Sequence, residues 1–125
     1  MNKKILVVDD SLIVKKLIEN ALQDEYVVVK ANNGKEATDL IVKDKDICAM
    51  LLDLNMPDYD GFYVLNYFKN NNLFKRIPVS IISGDDSKET IDRAFTYDIV
   101  DMLSKPFEKS NVKNIVNKMI SYKEN

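Results

Sequence analysis

Side chains suited to phosphate chemistry recur along the chain, each at the end of an apolar run that predicts a buried strand. In an open parallel sheet the carboxyl ends of the strands meet at one edge, and ligands bind in the crevice there. We therefore expect three carboxylates, a hydroxyl and an ammonium to converge on one spot. The pattern predicts a magnesium-dependent phosphoacceptor site, carried by the acid pair Asp9 and Asp10, by Asp53, by Ser83 and by Lys105, which precedes Pro106.

The charge of this group predicts a bound divalent cation. Three carboxylates and one ammonium sum to −2 if Asp9, Asp10, Asp53 and Lys105 share a pocket. Like charges that close together raise the proton affinity of at least one carboxylate and destabilise the fold. Oxygen-only ligands suit Mg²⁺, which is usually bound by one or two carboxylates, waters and phosphate oxygens.

Phosphoryl transfer needs an in-line nucleophile and positive charge around the transferred group. A carboxylate can be that nucleophile by forming an aspartyl phosphate, and Asp53 is our candidate. Lys105 would neutralise phosphoryl charge, and Ser83 would donate its hydroxyl to another phosphoryl oxygen.

The elements that must position these groups alternate between two periodicities. Continuous apolar or β-branched runs predict strands covered on both faces, and apolar residues at i, i+3, i+4 spacing predict amphipathic helices. Five strands alternating with five helices predict an α/β fold, a parallel sheet with helices on both faces. The predicted strands are Lys4–Val8, Tyr26–Val29, Ile47–Leu52, Pro78–Ile82 and Ile99–Leu103, and the predicted helices are Ser11–Asp24, Gly34–Lys43, Phe62–Asn71, Asp86–Thr96 and a last helix marked by Val112–Ile120.

Two helices carry more specific predictions. The fourth is expected to begin at a capping box in the run Asp86–Glu89. The first is expected to bury one stripe of side chains, namely Val14, Leu17, Ile18 and Ala21.

Composition is that of an ordinary globular domain, with 46% hydrophobic and 30% charged residues among 125. That length predicts a single domain over residues 1–125. A net charge of −2 without a basic patch disfavours nucleic-acid binding, and no apolar run reaches the roughly 20 residues of a membrane span. Lys3 and Lys4 precede an apolar stretch near the start of the chain, but Asp9 and Asp10 cut that stretch short, which disfavours a secretory signal. We therefore expect a cytoplasmic protein.

Cysteine and histidine usage narrows the chemistry further. Cys48 is the single cysteine, so an internal disulfide and a thiolate metal cage are excluded, and its apolar strand predicts a core role. Histidine is absent. Any phosphohistidine donor must therefore be another protein.

The motifs resemble those of bacterial response-regulator receiver domains over essentially the whole chain. The matching strings are Ile5–Ser11, Leu52–Pro57 with Asp60 and Gly61, Ile82–Gly84, and Lys105–Phe107. The resemblance implies a flavodoxin-like sheet of order 2-1-3-4-5, as in chemotaxis-type receivers, and a phosphoacceptor role in two-component signalling.

The resemblance also implies a set of site roles. Asp53 would accept the phosphoryl group from a sensor histidine kinase or a phosphotransfer protein. Asp10 and Asp53 would bind Mg²⁺ directly with the backbone carbonyl of Asn55, and Asp9 would act largely through water. Ser83 and Lys105 would bind phosphoryl oxygens once they arrive.

Similar domains catalyse their own phosphorylation from small acyl phosphates and their own slow dephosphorylation, so the resemblance implies a phosphoacceptor and not an enzyme. Asn55 and Asp85 match the variable positions that tune this hydrolysis.

Three positions depart from the family pattern. Met102 stands where the family carries a signalling aromatic residue, and it offers a flexible, polarisable side chain without a ring. Asp98 stands where many relatives carry Gly before the fifth strand, and Asp tolerates positive φ better than most residues, so we expect the turn to survive. Gly84 replaces a small side chain after the hydroxyl residue and should loosen the loop that follows the fourth strand.

No output domain is recognised in the sequence, so we expect the signal to pass to a downstream protein target or to an output domain fused in a longer regulator. The resemblance places the output surface on the fourth helix, fifth strand and fifth helix, and it allows a phosphorylation-dependent homodimer. Phosphorylation would shift a pre-existing equilibrium between two loop arrangements. On the first helix, Leu12 either docks a kinase or packs under a neighbouring loop.

Two other functions compete with the switch. A phosphohydrolase with an aspartate nucleophile usually carries a second acid two residues after that nucleophile, and here the residue is Asn55. A phosphorylation-independent interaction module that kept the pocket but lost switching is the alternative that Met102 favours.

Overall fold

The computed structural model describes residues 3–124, with side-chain surroundings described through residue 122. The outermost residues of the domain predicted over 1–125, Met1, Asn2 and Asn125, lie outside the described residues. Strands and helices alternate throughout: β1 Lys4–Val8, α1 Leu12–Leu22, β2 Val27–Ala31, α2 Gly34–Lys43, β3 Ile47–Asp53, α3 Gly61–Asn70, β4 Val79–Ser83, α4 Lys88–Ala94, β5 Asp101–Ser104 and α5 Lys109–Glu124.

The predicted fold class is confirmed. All five strands are parallel, and they form one sheet of order β2-β1-β3-β4-β5, which is flavodoxin-like. The strand order reverses direction between β1 and β3, so the crevice at their carboxyl ends is where such a sheet binds ligands.

Two apolar clusters cover the two faces of the sheet. One joins β-strand residues such as Leu6 and Leu52 to α2, α3 and Ala94 of α4. The other joins residues such as Val7 and Leu51 to α1 and α5. The alternation of neighbouring residues between the clusters follows from the two-residue period of a strand. Burial on both faces specifies the register of the central strands β1, β3 and β4, because a slip of one residue would exchange the two faces.

The ends of several elements differ from the sequence predictions. Helix α1 ends at Leu22 rather than Asp24, and Val14 and Leu17 of the predicted stripe are half-buried, whereas Ile18 and Ala21 are buried. Strand β2 is shifted toward the carboxyl end of its predicted range. Strand β5 begins at Asp101, two residues later than predicted. Cys48 is half-buried in β3, and its Sγ lies 3.4 Å from the backbone oxygen of Lys4.

The start and end of α4 also correct the sequence prediction. Ser87, not Asp86, is the N-cap, because its hydroxyl accepts a hydrogen bond from the backbone N–H of Thr90. The helix ends at Ala94 rather than Thr96, because the backbone N–H groups of Thr96 and Tyr97 bond three residues back, to the carbonyls of Arg93 and Ala94. Such bonds form a tighter turn than the α-helix.

The turn before β5 does not use positive φ. Among the described residues other than glycine, positive φ occurs at Asp58 and Asn72. The N–H of Ile99 instead donates to the carbonyl of Tyr97 at 2.9 Å, which closes a three-residue turn centred on Asp98. The expected tolerance of Asp98 for positive φ is therefore not used.

Within the residues that the structure describes, we find no helix with the length and apolarity needed to cross a membrane.

Candidate functional site

The register of the two central strands brings the acids together. Val8 of β1 pairs with Leu52 of β3, so Asp9 and Asp53 lie at neighbouring strand ends. Carboxylate oxygens of Asp9, Asp10 and Asp53 all lie within 4.8 Å of one another. Asp9 and Asp53 are buried at 0% and 2% exposure, whereas Asp10 is exposed. The predicted acid cluster is therefore present at the predicted edge of the sheet.

Lys105 reaches the same cluster from the end of β5. Its Nζ lies 2.9 Å from Asp9 Oδ2 and 3.5 Å from Asp53 Oδ2. The backbone holds it there, because the N–H of Lys105 donates to the carbonyl of Ser83 at 2.8 Å. The peptide bond from Lys105 to Pro106 is cis. Lys105 therefore lies between the two buried acids, closer to Asp9, and its predicted role in binding phosphoryl oxygens stays a prediction.

The two oxygens of Asp9 have different surroundings. Asp9 Oδ1 accepts a hydrogen bond of 2.8 Å from the backbone N–H of Ser11, just before α1. Asp9 Oδ2 has no donor in hydrogen-bond geometry among the described residues, so its contact with Lys105 is an ion pair. A buried carboxylate oxygen that lacks a hydrogen bond is costly unless a cation or water satisfies it.

Burial and charge together perturb the phosphoacceptor candidate. Burial, and next the charge of Asp9, raise the pKa of Asp53 from 3.8 to about 6, although Lys105 pulls it down. Burial lowers the pKa of Lys105, but its ion pairs with Asp9 and Asp53 outweigh burial and leave that pKa above 10.5. Without a cation, the charged form of the Asp53 carboxylate is therefore destabilised, whereas the charged form of the neighbouring Lys105 ammonium is stabilised.

The loop after β3 folds back tightly under Asp53. Asp53 Oδ1 accepts a hydrogen bond of 3.2 Å from the N–H of Asn55. The N–H of Gly61 donates to the carbonyl of Leu54 at 3.1 Å, and a Cβ at position 61 would lie 2.5 Å from the backbone oxygen of Asp53. Glycine at 61 thus allows the close approach that shapes the loop.

The hydroxyl of Ser83 bonds to the main chain of its own loop and not to the acid cluster. Ser83 is buried at the end of β4, next to the Asp53–Ile82 pair. Its Oγ accepts from the N–H of Asp85 at 3.0 Å and donates to the carbonyl of Asp85 at 3.1 Å. The hydroxyl is therefore engaged in its own loop, and its predicted contact with phosphate requires it to leave these bonds.

The side chain of Asp85 also bonds within this loop and to α4. Its Oδ1 accepts from the N–H of Ser87 at 2.9 Å, and its Oδ2 accepts from the hydroxyl of Thr90 at 2.7 Å. These bonds lower the pKa of Asp85, and the bond from the Ser87 backbone N–H has the largest effect. Its hydrolysis-tuning role, like that of Asn55, stays a prediction.

The two remaining departures from the family pattern are Gly84, which lies in this loop, and Met102, which lies on the strand that pairs with β4. Met102 is half-buried in β5, where it pairs with Ile81 and packs against the apolar cluster that joins the sheet to α2, α3 and Ala94. Gly84 is exposed, and a Cβ added there would meet no heavy atom within 4 Å. Nothing in its surroundings therefore requires glycine.

Several residues of this region were missed by the sequence analysis. Thr90 was not singled out as a partner of Asp85, and Lys15 of α1 is buried with its ammonium bonded to the Asn32 side chain. A cavity of about 390 Å³ beside Lys105 is lined by Val14, Leu17, Pro106 and Phe107. The apolar periodicity of α1 gives no sign that Lys15 is buried. The half-buried positions Val14 and Leu17 are consistent with the wall of a cavity.

The packing explanation for Leu12 is wrong, because Leu12 is 75% exposed, and its neighbour Ile13 is 81% exposed. The kinase-docking explanation stays a prediction.

The donor set fits Mg²⁺. Three carboxylates meet one ammonium, which leaves a local charge of −2 for a divalent cation to balance. All available ligands are hard oxygens, as Mg²⁺ prefers. Asp10 is exposed, which leaves room for the waters that Mg²⁺ retains.

Fold and site together define a class of protein, an open α/β sheet with an acid cluster and a lysine at its switch point. A family model described as "Response regulator receiver domain" matches residues 5–117. The chain therefore belongs to the response regulator receiver domain family.

Individual relatives agree with the family match. The two-component response regulator ORR3 of rice (Oryza sativa subsp. indica) is 31% identical over 117 residues, covering 93% of this chain and 89% of that protein. The two-component response regulator ARR2 of Arabidopsis thaliana is 34% identical over 126 residues, covering 99% of this chain but 18% of that protein. The solved chemotaxis protein CheY4 of Vibrio cholerae superimposes with a TM-score of 0.86 at 25% identity, covering 95% and 99% of the two chains.

Proposed function

We propose that this chain is a phosphoacceptor switch of a two-component system, in which Asp53 receives a phosphoryl group with Mg²⁺. The observation that carries the proposal is the buried Asp53 carboxylate, clustered within 4.8 Å of two other acids and contacted by Lys105. Membership of the receiver family supports the same role.

The residues of the pocket divide the chemistry between them. An Asp53 carboxylate oxygen forms the new P–O bond while the P–N bond of a donor phosphohistidine breaks. The Lys105 ammonium would then bind the negatively charged phosphoryl oxygens. Asp10, Asp53 and the Asn55 carbonyl would hold Mg²⁺, with Asp9 acting through water. When bound, the ion supplies positive charge to the phosphoryl oxygens.

The Ser83 hydroxyl would turn from Asp85 to a phosphoryl oxygen, and the output would pass through the α4–β5–α5 surface. The looseness of α4 supports this route. Of its seven residues, all of them described, Ala94 alone is buried, and Arg93 stacks 3.6 Å above the ring of Phe62. Such a helix can move at small cost in packing.

The partners follow from the same proposal. A sensor histidine kinase or a phosphotransfer protein would supply the phosphoryl group and would dock near the exposed Leu12 and Ile13. The target would be a downstream protein or a fused output domain. The phosphorylated chain would also be able to form a homodimer. We propose a cytoplasmic location and no enzymatic activity beyond self-phosphorylation from acyl phosphates and slow self-dephosphorylation.

The test is incubation with acetyl phosphate and Mg²⁺ followed by intact-mass measurement. We expect one phosphoryl group on the wild type, none on Asp53→Asn, and a wild-type result for Asp24→Asn, an exposed acid just beyond the far end of α1. No adduct on the wild type, or an equal adduct on Asp53→Asn, would contradict the proposal. Rapid turnover of external phosphate esters would instead indicate a phosphohydrolase.

One observation favours the alternative, a phosphorylation-independent interaction module. Met102 occupies the position of the signalling aromatic residue and provides no ring to move. That alternative predicts partner binding that is the same for the wild type with and without acetyl phosphate. The switch predicts binding that changes with the adduct.

A further inference from the structure

The Ser83 hydroxyl is held by the main chain of a single residue. It accepts from the N–H of Asp85 and donates to the carbonyl of Asp85, at 3.0 and 3.1 Å. A hydroxyl has one proton to donate, and here it is given to Asp85. To donate to a phosphoryl oxygen on Asp53, Ser83 must give up that bond, and residue 85 must then find other partners or move.

Residue 85 is in turn fastened to the helix. Both oxygens of its carboxylate accept hydrogen bonds, from the N–H of the N-cap Ser87 at 2.9 Å and from the Thr90 hydroxyl at 2.7 Å. Thr90 is also tied to the cap, because its N–H donates to Ser87 Oγ and its own Oγ accepts from the Ser87 hydroxyl. Among the described residues, these Asp85 bonds are the side-chain hydrogen bonds that join residues 83–86 to α4 and its cap.

Neighbouring positions supply little other restraint on the loop. Gly84 has no side chain, and even a Cβ there would touch nothing. Met102, on the adjoining strand, has no ring or hydroxyl to hold the loop in place. The 2.7 Å bond between Thr90 and the ionised Asp85 is a short, charge-assisted bond of the stronger kind.

We propose that Thr90 is a positioning residue: through the Asp85 carboxylate it latches the β4–α4 loop in the arrangement in which the Ser83 hydroxyl donates to the carbonyl of Asp85 rather than to a phosphoryl group on Asp53. Phosphorylation and the first turn of α4 are then coupled, because the hydroxyl cannot reach the phosphoryl group while the latch holds residue 85. This inference rests on the proposed phosphoacceptor function.

The latch has a defined direction. It stabilises the unphosphorylated arrangement, so breaking it shifts the equilibrium toward the arrangement in which Ser83 is available to the phosphoryl group. Loss of one such bond corresponds to a shift of roughly threefold or more. Phosphorylation by a small donor should therefore become faster when Thr90 loses its hydroxyl.

The experiment compares Thr90→Val, which keeps the shape but loses the hydroxyl, with Thr90→Ser, which keeps the hydroxyl. Adduct formation from acetyl phosphate and Mg²⁺ is followed by intact mass, in the Ser83 and the Ser83→Ala backgrounds. We expect Thr90→Val to react about threefold faster or more and Thr90→Ser to match the wild type. In the Ser83→Ala background the effect of Thr90→Val should vanish, since the latch acts through that hydroxyl.

Amide hydrogen exchange gives a second readout on the same proteins. Without any donor, Thr90→Val should speed exchange at the Asp85 and Ser87 amides, and beryllofluoride with Mg²⁺ should do the same to the wild type. A wild type that forms its adduct while Thr90→Val reacts at the same rate, or while Thr90→Val is equally faster in the Ser83→Ala background, would overturn the latch alone. A wild type that forms no adduct would overturn the phosphoacceptor function itself.

Discussion

Replacing Asp53 by Asn should stabilise the metal-free protein. Burial and the neighbouring Asp9 raise the pKa of Asp53 from 3.8 to about 6. The folded protein therefore binds a proton more tightly than the unfolded chain, and the charged form of Asp53 opposes folding at neutral pH. Each pH unit between the two pKa values is worth about 1.4 kcal/mol, so the full effect is about 3 kcal/mol.

We expect Asp53→Asn to gain about 1 to 3 kcal/mol of unfolding free energy at pH 7.5 in EDTA. The gain falls below the full value because the new amide NH₂ would face Lys105 in place of a carboxylate oxygen that lies 3.5 Å from its Nζ. In urea denaturation this corresponds to a midpoint shift of roughly 0.5 to 2 M.

The pH dependence of stability tests whether the gain of Asp53→Asn comes from the raised pKa of Asp53. A raised carboxyl pKa means that wild-type stability is greatest, as far as Asp53 is concerned, below pH 3.8 and is lost as pH rises through about 6. The advantage of Asp53→Asn should therefore shrink toward zero near pH 4 and reach a plateau above pH 6. Added Mg²⁺ should narrow the gap, because it stabilises the wild type by binding to the folded state.

The matched control is Asp24→Asn, which changes an exposed acid far from the pocket and should leave stability unchanged. An Asp53→Asn variant no more stable than the wild type in EDTA at pH 7.5 would refute the reasoning. A gain that is the same at pH 4 and pH 7.5 would refute it equally, since it could not come from the titration of Asp53.

Two further predictions concern packing near the site and in the core. Gly61→Ala should lower the unfolding free energy by about 2 kcal/mol or more, because its Cβ would lie 2.5 Å from the Asp53 backbone oxygen. Gly84→Ala should raise the unfolding free energy by about 0.4 to 1 kcal/mol, because its Cβ would meet no heavy atom within 4 Å and its φ is not positive. Equal effects of the two changes in denaturation would contradict this. Ser80→Ala should gain about 1 kcal/mol, because the buried Ser80 Oγ has no hydrogen-bond partner among the described residues, and a loss on thermal or urea unfolding would show that the hydroxyl is satisfied in solution.

The sheet and the acid cluster could be predicted because local sequence and topology determine them. Apolar runs such as Val79–Ile82 are long enough to predict strands, and any residue directly after a parallel strand lies at the carboxyl edge. The placement of Asp9, Asp53 and Lys105 follows from these two facts and from the register of β1 with β3. The strand order itself came from the family resemblance.

Loop hydrogen bonds could not be predicted in the same way. Asp86 and Ser87 are both good N-caps, and the choice of Ser87 depends on how the loop leaves β4. The turn of the Ser83 hydroxyl toward Asp85 depends on the same loop conformation. Lys15 of α1 is buried and its ammonium bonds to the side chain of Asn32, which lies between β2 and α2, and no periodic pattern encodes that contact.

The central claim is that Asp53 is the residue that carries the phosphoryl group, and site mapping tests it most directly. After reaction with acetyl phosphate and Mg²⁺, borohydride reduction converts an aspartyl phosphate to homoserine, and peptide sequencing by mass spectrometry locates it. We expect homoserine at position 53 in the wild type only when Mg²⁺ and donor are both present. Homoserine at Asp9, Asp10 or Asp85 instead, or no homoserine in the presence of both reagents, would contradict the account.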